Sequence, residues 1–107
     1  PSQEFMSSIT EQAPSTWTFL TNHSHILVCL TQDDGMRIRA LAVAVGITER
    51  AVQRILAELE EANVIQKVRE GRRNRYTVQL DIPLRHPLEA HCSVGDLVGA
   101  LGHAPEN

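Results

Sequence analysis

Aromatic residues are scarce in this chain: one Trp, one Tyr and two Phe in 107 residues, 4% of the whole. A core with so few rings must rest on aliphatic packing, and little remains for stacking single-stranded bases. Cysteine is scarcer still. Cys29 and Cys92 have no CxxC spacing and sit in apolar or helical surroundings, the pattern of reduced thiols in a cytoplasmic protein. No apolar run approaches the ~18–20 residues of a membrane span, and no signal-peptide pattern is present. Also missing are a Gly-rich phosphate loop, a nucleophile elbow and paired carboxylates in an apolar setting. The expectation is a non-enzymatic protein without a cofactor. Its length suits one domain with a modest core and no elaborate ligand cavity.

What the chain does have is an uneven charge. The net value is −3, from ten basic and thirteen acidic residues. Yet the stretch from Arg37 to Arg75 holds nine of the ten bases and five of the acids, a local charge of +4. Everything outside it carries −7. Such asymmetry within one small domain predicts a basic face, although a solvated mixed surface would give the same count.

Residues 1–5 precede a methionine and read as a cloning remnant, with the natural chain expected to start at Met6. Residues 1–15 are expected to be a flexible or partner-docked arm. From Thr16 to about Gln32 the chain can be helical, with Trp17, Leu20, Ile26, Leu27 and Leu30 as apolar positions. Alternatively, Asn22 caps a shorter helix and Trp17–Thr21 stands apart. Gln32-Asp33-Asp34-Gly35 is a turn by composition. Ile38, Leu41, Ala42 and Val45 then recur at i, i+3, i+4 and i+7, a short helix ended by Gly46 as a left-handed cap. Thr48 is a good N-cap for a longer helix, 48–62, whose Val52, Ile55, Leu56 and Leu59 share one face and whose Arg50, Gln53, Arg54 and Ala57 share the other. Two helices joined by about three residues have the spacing of a helix-turn-helix.

Asn63 can take the left-handed turn that ends the long helix. Two strand-like segments follow, Val64–Arg69 and Arg75–Leu80, with Tyr76, Val78 and Leu80 alternating in the second. They predict a hairpin with a basic tip, 70–74. Pro83 and Pro87 then stop further sheet. A short tail helix after Ser93, with Val94, Leu97, Val98 and Leu101 on one face, needs a surface to pack on: the domain's own core or a second copy.

The expected fold is therefore mainly α with a small antiparallel β-hairpin, and residues 16–80 resemble the winged helix-turn-helix domain of bacterial transcription regulators of the broad MarR-like and ArsR-like kind. The resemblance rests on Leu41-Ala42-Val43-Ala44-Val45-Gly46-Ile47-Thr48 across the turn and Val52-Gln53-Arg54-Ile55-Leu56 in the second helix. It extends through Leu59-Glu60-Glu61-Ala62-Asn63-Val64-Ile65 at the helix exit and Gly71-Arg72-Arg73-Asn74-Arg75-Tyr76 in the wing. Asn63 departs from the family's usual glycine. The tail, Pro83-Leu84-Arg85-His86-Pro87-Leu88-Glu89-Ala90-His91 with Val94-Gly95-Asp96-Leu97, resembles a narrower group of small actinobacterial-type regulators. Residues 81–107 are accordingly expected to form an extended connector and a C-terminal helix, a candidate dimerisation segment.

The resemblance implies double-stranded DNA as partner, the second helix in the major groove and the wing on backbone or minor groove. The residue chemistry agrees. Arg50 and Arg54 can each bond a guanine bidentately, and Gln53 an adenine. Thr48 and the amides of the helix start suit a phosphate. Arg72, Arg73 and Arg75 suit phosphates or a narrow groove, contacts that position more than they specify. The expected interface is Thr48, Glu49, Arg50, Gln53 and Arg54 on the helix, with Arg72, Arg73, Asn74 and Arg75 in the wing. Glu58, Glu60 and Glu61 should confine contact to the helix's first turns. A homodimer would place two such helices about 34–36 Å apart on a near-palindromic site.

Two other readings fit parts of the same sequence. The same fold could serve protein–protein contact without specific DNA binding. His23, His25, Cys29, His86, His91, Cys92 and His103 invite a metal or thiol sensor, since His25 and Cys29 are four apart on a helix. But Cys29 lies inside an apolar run, where a free cysteine is usually a small hydrophobe. No metal site is expected, no small-molecule effector is indicated, and no membrane contact is implied.

Overall fold

The computed structural model describes residues 17–102; the expected N-terminal arm, the cloning remnant and His103 lie outside them. The elements are α1 (Asn22–Gln32), α2 (Ile38–Val45), α3 (Glu49–Glu61), β1 (Ile65–Glu70), β2 (Arg73–Val78) and α4 (Val94–Leu101). Among the described residues, four helices and one antiparallel hairpin make the mainly α fold that the periodicities predict. No helix of the described residues is long and apolar enough to cross a membrane.

The first helix is the shorter of the two alternatives. It begins at Asn22, one residue after an N-cap position at Thr21 that makes no side-chain capping bond. Asn22 is thus inside the helix, where its Oδ1 pairs with Nδ1 of His25 at 3.0 Å. Trp17 is not part of this helix; it meets Phe19 edge to face at 4.9 Å, and both rings are exposed.

The α2–α3 connection follows its sequence signals closely. Gly46 adopts φ +85°, and its amide and that of Ile47 both donate to the carbonyl of Ala42, at 2.8 and 3.1 Å. This left-handed step without a Cβ penalty ends α2 and turns the chain sharply. Two residues later Oγ1 of Thr48 accepts from the amide of Ala51 at 3.0 Å, satisfying one orphan donor and starting α3. The exit from α3 uses Asn63 at φ +62°, with the Val64 amide returning to the carbonyl of Leu59 at 2.9 Å.

Ile26, Leu30, Leu41, Val52 and Ile55 are the most deeply buried side chains, joined by Leu56, Leu59, Ile65 and Tyr76. Aliphatic groups dominate, as the shortage of rings requires. The core lies where α1, α2 and α3 meet under the hairpin. α4 closes it from the α1 side, burying Val94 and Val98. Its start is fixed by a reciprocal capping box, Ser93 with the Asp96 amide and Asp96 with the Ser93 amide. The Val94 and Gly95 amides donate to the carbonyls of Ile82 and Leu80, at 2.7 and 2.9 Å. The tail helix therefore covers the domain's own core, with Leu101 left exposed.

The hairpin register runs from Ile65↔Val78 to Glu70↔Arg73, so only Gly71 and Arg72 form its loop. The tip is shorter than the five-residue turn expected at 70–74. Gly71 at φ +62° occupies the first loop position, the glycine place of a tight two-residue hairpin whose twist matches its strands. Arg73, Asn74 and Arg75 consequently belong to β2.

Candidate nucleic-acid interface

α3 sorts its side chains as its periodicity predicts. Val52, Ile55, Leu56 and Leu59 are buried, while Arg50, Gln53 and Arg54 stand exposed along its first two turns. Thr48 and Glu49 are also exposed at the helix start. The Thr48 hydroxyl uses a lone pair on the Ala51 amide, which leaves its own O–H free to donate outward. Glu49, an acid in the first turn, complements the positive end of the helix dipole.

The wing residues divide into two groups. Arg72 sits in the loop, and its side chain makes no hydrogen bond or ion pair among the described residues. Arg75 is fully engaged: its Nη1 donates to Oδ1 of Asp34 at 2.7 Å and its Nε to Oε1 of Glu70 at 2.6 Å. These two carboxylates hold the guanidinium firmly in its charged form, Glu70 contributing more than Asp34. Nη2 of Arg73 donates to the carbonyl of Gly35. The backbone joins in, with the Tyr76 amide donating to the carbonyl of Asp34 at 3.0 Å. Arg73 and Arg75 thus tie the second strand to the α1–α2 turn. Asn74 is half-buried between them.

Shallow grooves link the wing to the start of α3. Arg72, Arg73 and Asn74 line one stretch with Met36 and Arg37. Arg37, Arg39 and Arg73 line the next. Arg39 then reaches a third with Gly46, Thr48 and Glu49. Arg37 and Arg39 are exposed at and just inside the start of α2. They had counted only toward the basic window of the sequence; their place beside Thr48 depends on the turn angle, which no local pattern reports. The result is a run of basic side chains, Arg72, Arg73, Arg37 and Arg39, from the wing tip to the start of α3 at Thr48 and Glu49.

The far end of α3 is different in character. Glu58 accepts from Arg54 one turn earlier and from Nε2 of His23 on α1 at 2.7 Å. Its carboxyl is held below the ordinary carboxylate range, chiefly by the His23 hydrogen bond and secondarily by Arg54. A cavity of about 710 Å³ opens here between α1, the end of α3 and the 82–89 connector. Cys29 is half-buried on α1, and burial pushes its thiol above the usual range, the behaviour of a packing residue and not of a reactive one. His25 makes its hydrogen bond to Asn22. Among the described residues no group of three or more His, Cys, Asp or Glu side chains gathers as a metal would require.

A three-residue turn, a helix presenting long donors from its first two turns and a two-stranded hairpin beside it define a winged helix-turn-helix. Residues 20–66 match the family model described as winged helix-turn-helix DNA-binding. That segment covers α1, α2, α3 and the start of β1. The fold is that of a winged helix-turn-helix, and this segment is similar to DNA-binding domains of that class. No curated protein and no solved structure matches it significantly.

Proposed function

We propose that this protein is a non-enzymatic, sequence-specific transcription regulator, of the MarR-like or ArsR-like kind, that binds double-stranded DNA as a homodimer. The observation that carries the proposal is that Arg50, Gln53 and Arg54 are exposed on the first two turns of α3, just beyond Thr48 and Glu49, where a run of basic side chains that begins at Arg72 ends. A helix end of this kind fits the major groove with its first turns against base edges. Arg50 and Arg54 would read guanines and Gln53 an adenine, while Thr48 and the free amides of the helix start meet a phosphate. Glu49 can accept from a cytosine amino group in the same groove.

Backbone contacts then come from Arg37, Arg39 and Arg72, which lie along that run. Arg73, Asn74 and Arg75 contribute by shaping and charging the wing, since Arg73 and Arg75 already have partners within the domain. Acidic residues at the other end of α3 keep phosphate away from Glu58 onward.

Selection of bound fragments from a random duplex pool, followed by binding titrations, tests the proposal. A preferred, near-palindromic sequence is expected. Arg54→Ala should relax preference at one base position per half-site, by about 1–3 kcal/mol of lost discrimination. Absence of any salt-sensitive duplex binding at low ionic strength would refute the proposal.

A further inference from the structure

Glu58 stands one turn beyond Arg54, where a carboxylate near DNA would be expected only to repel. Its contacts give it a second task. Oε2 and Oε1 of Glu58 accept from Nη1 of Arg54 at 3.3 and 3.4 Å. Oε1 also accepts from Nε2 of His23 at 2.7 Å. His23 belongs to α1, so the carboxylate is gripped from a second element, 35 residues away in the chain.

The way Arg54 is held matters as much as the fact. Glu58 engages Nη1 alone; Nε and Nη2 have no partner among the described residues. Those two N–H groups form a side-on fork, the planar pair of donors that matches the O6 and N7 acceptors of guanine. We infer that His23 and Glu58 are positioning residues for base reading: His23 fixes the Glu58 carboxylate, and Glu58 holds the Arg54 guanidinium with its Nε/Nη2 fork turned outward. The inference rests on the DNA-binding reading above and adds to it how one specificity contact is prepared.

An exposed i,i+4 ion pair alone is a weak restraint, because two long side chains must be ordered to make it. The short bond from a different helix changes this, since α1 and α3 are fixed to each other through Ile26, Leu30 and Ile55 in the core. An arginine ordered before binding loses less freedom on meeting its base than one that samples many rotamers. Its single remaining geometry also fits a wrong base less well. The effect is on discrimination, not on general affinity.

Three variants separate this from a purely repulsive role for Glu58. In Glu58→Gln, removal of an acid strengthens binding to all duplexes slightly. If Glu58 positions Arg54, preference at the base that Arg54 reads also falls, from the about 5- to 150-fold of an arginine–guanine pair toward unity. His23→Ala gives the same loss at the same base without changing any charge on α3. His23→Gln, whose amide nitrogen can take the place of Nε2, restores it. With Arg54→Ala as background, neither Glu58→Gln nor His23→Ala alters preference further. Circular dichroism and thermal melting are run beside the binding titrations, and wild-type folding is expected from the partly exposed positions of both side chains. Intact preference in both Glu58→Gln and His23→Ala, with Arg54→Ala relaxed, overturns the positioning role alone. A wild-type chain that selects no sequence, or an Arg54→Ala chain that keeps full preference, overturns the reading beneath it.

Discussion

The guanidinium of Arg75 donates to two carboxylates at once, Asp34 at 2.7 Å and Glu70 at 2.6 Å. By charge and position it looks like its neighbour Arg72, yet the two should behave oppositely when DNA is bound. A cation already neutralised by protein carboxylates displaces few counterions from a phosphate, whereas an unpaired one displaces close to one. Arg72→Ala should therefore flatten the log–log dependence of duplex affinity on salt by about 0.9. Arg75→Ala should leave that slope nearly unchanged and instead lower the melting temperature, because the link between β2 and the α1–α2 turn is lost. Titrations over 50–300 mM salt, beside melts of both variants, check the pair of outcomes. A slope change at Arg75 equal to that at Arg72 would show that Arg75 leaves its carboxylates to meet DNA.

At the scale of elements, α3 depends on one hydroxyl for two tasks, and these can be parted. Thr48→Ala removes the acceptor for the Ala51 amide and should destabilise the domain by about 0.5–2 kcal/mol, the usual range for a lost N-cap. It also removes the outward O–H donor, so DNA affinity falls too. Thr48→Asp keeps a capping oxygen and the favourable interaction with the helix dipole but sets a negative charge where phosphate is expected. Stability should return while binding to all duplexes weakens. Urea melts and duplex titrations on the two variants measure the separation; retention of wild-type affinity in Thr48→Asp would place the start of α3 away from the backbone. The cap itself was visible along the chain, as were Gly46, Asn63 and the buried face of α3. Each is a local device, written within one turn of the residues it serves. The hairpin was legible only in part. The alternation of Tyr76 and Val78 identified its inward face, but the run of arginines after Gly71 looked like loop, and the loop proved to be Gly71-Arg72 alone. What stayed hidden was non-local: Arg73 meets Gly35 and Arg75 meets Asp34 across 38 and 41 residues. Asp34 had the marks of a solvated turn residue, and His23 counted only among the histidines of a possible metal sensor, until the helices were placed.

Over the whole molecule, net charge and interface charge have opposite signs, and salt can weigh one against the other. The chain totals −3, but Arg72, Arg73, Arg37 and Arg39 line adjoining grooves that lead to the start of α3, where Arg50 and Arg54 are exposed. If DNA meets those side chains, affinity should fall steeply with salt despite the acidic total. Arg50 and Arg54 spend part of their charge on bases, so Arg37, Arg39 and Arg72 with the start of α3 define roughly four phosphate contacts per chain. A single half-site should then give a log–log slope of about −3.6, at −0.9 per phosphate, and a full palindrome bound by two chains about −7.2. The comparison also reports assembly. α4 buries Val94 and Val98 against its own domain and so does not supply a dimer interface through those residues. A slope that doubles from half-site to palindrome, together with a bound mass of two chains, therefore establishes that two copies share the site. If both duplexes give the same slope, one chain binds alone and the two-fold assembly is wrong. A slope near zero on both would mean that the acidic remainder governs the encounter and that the basic face is merely solvated.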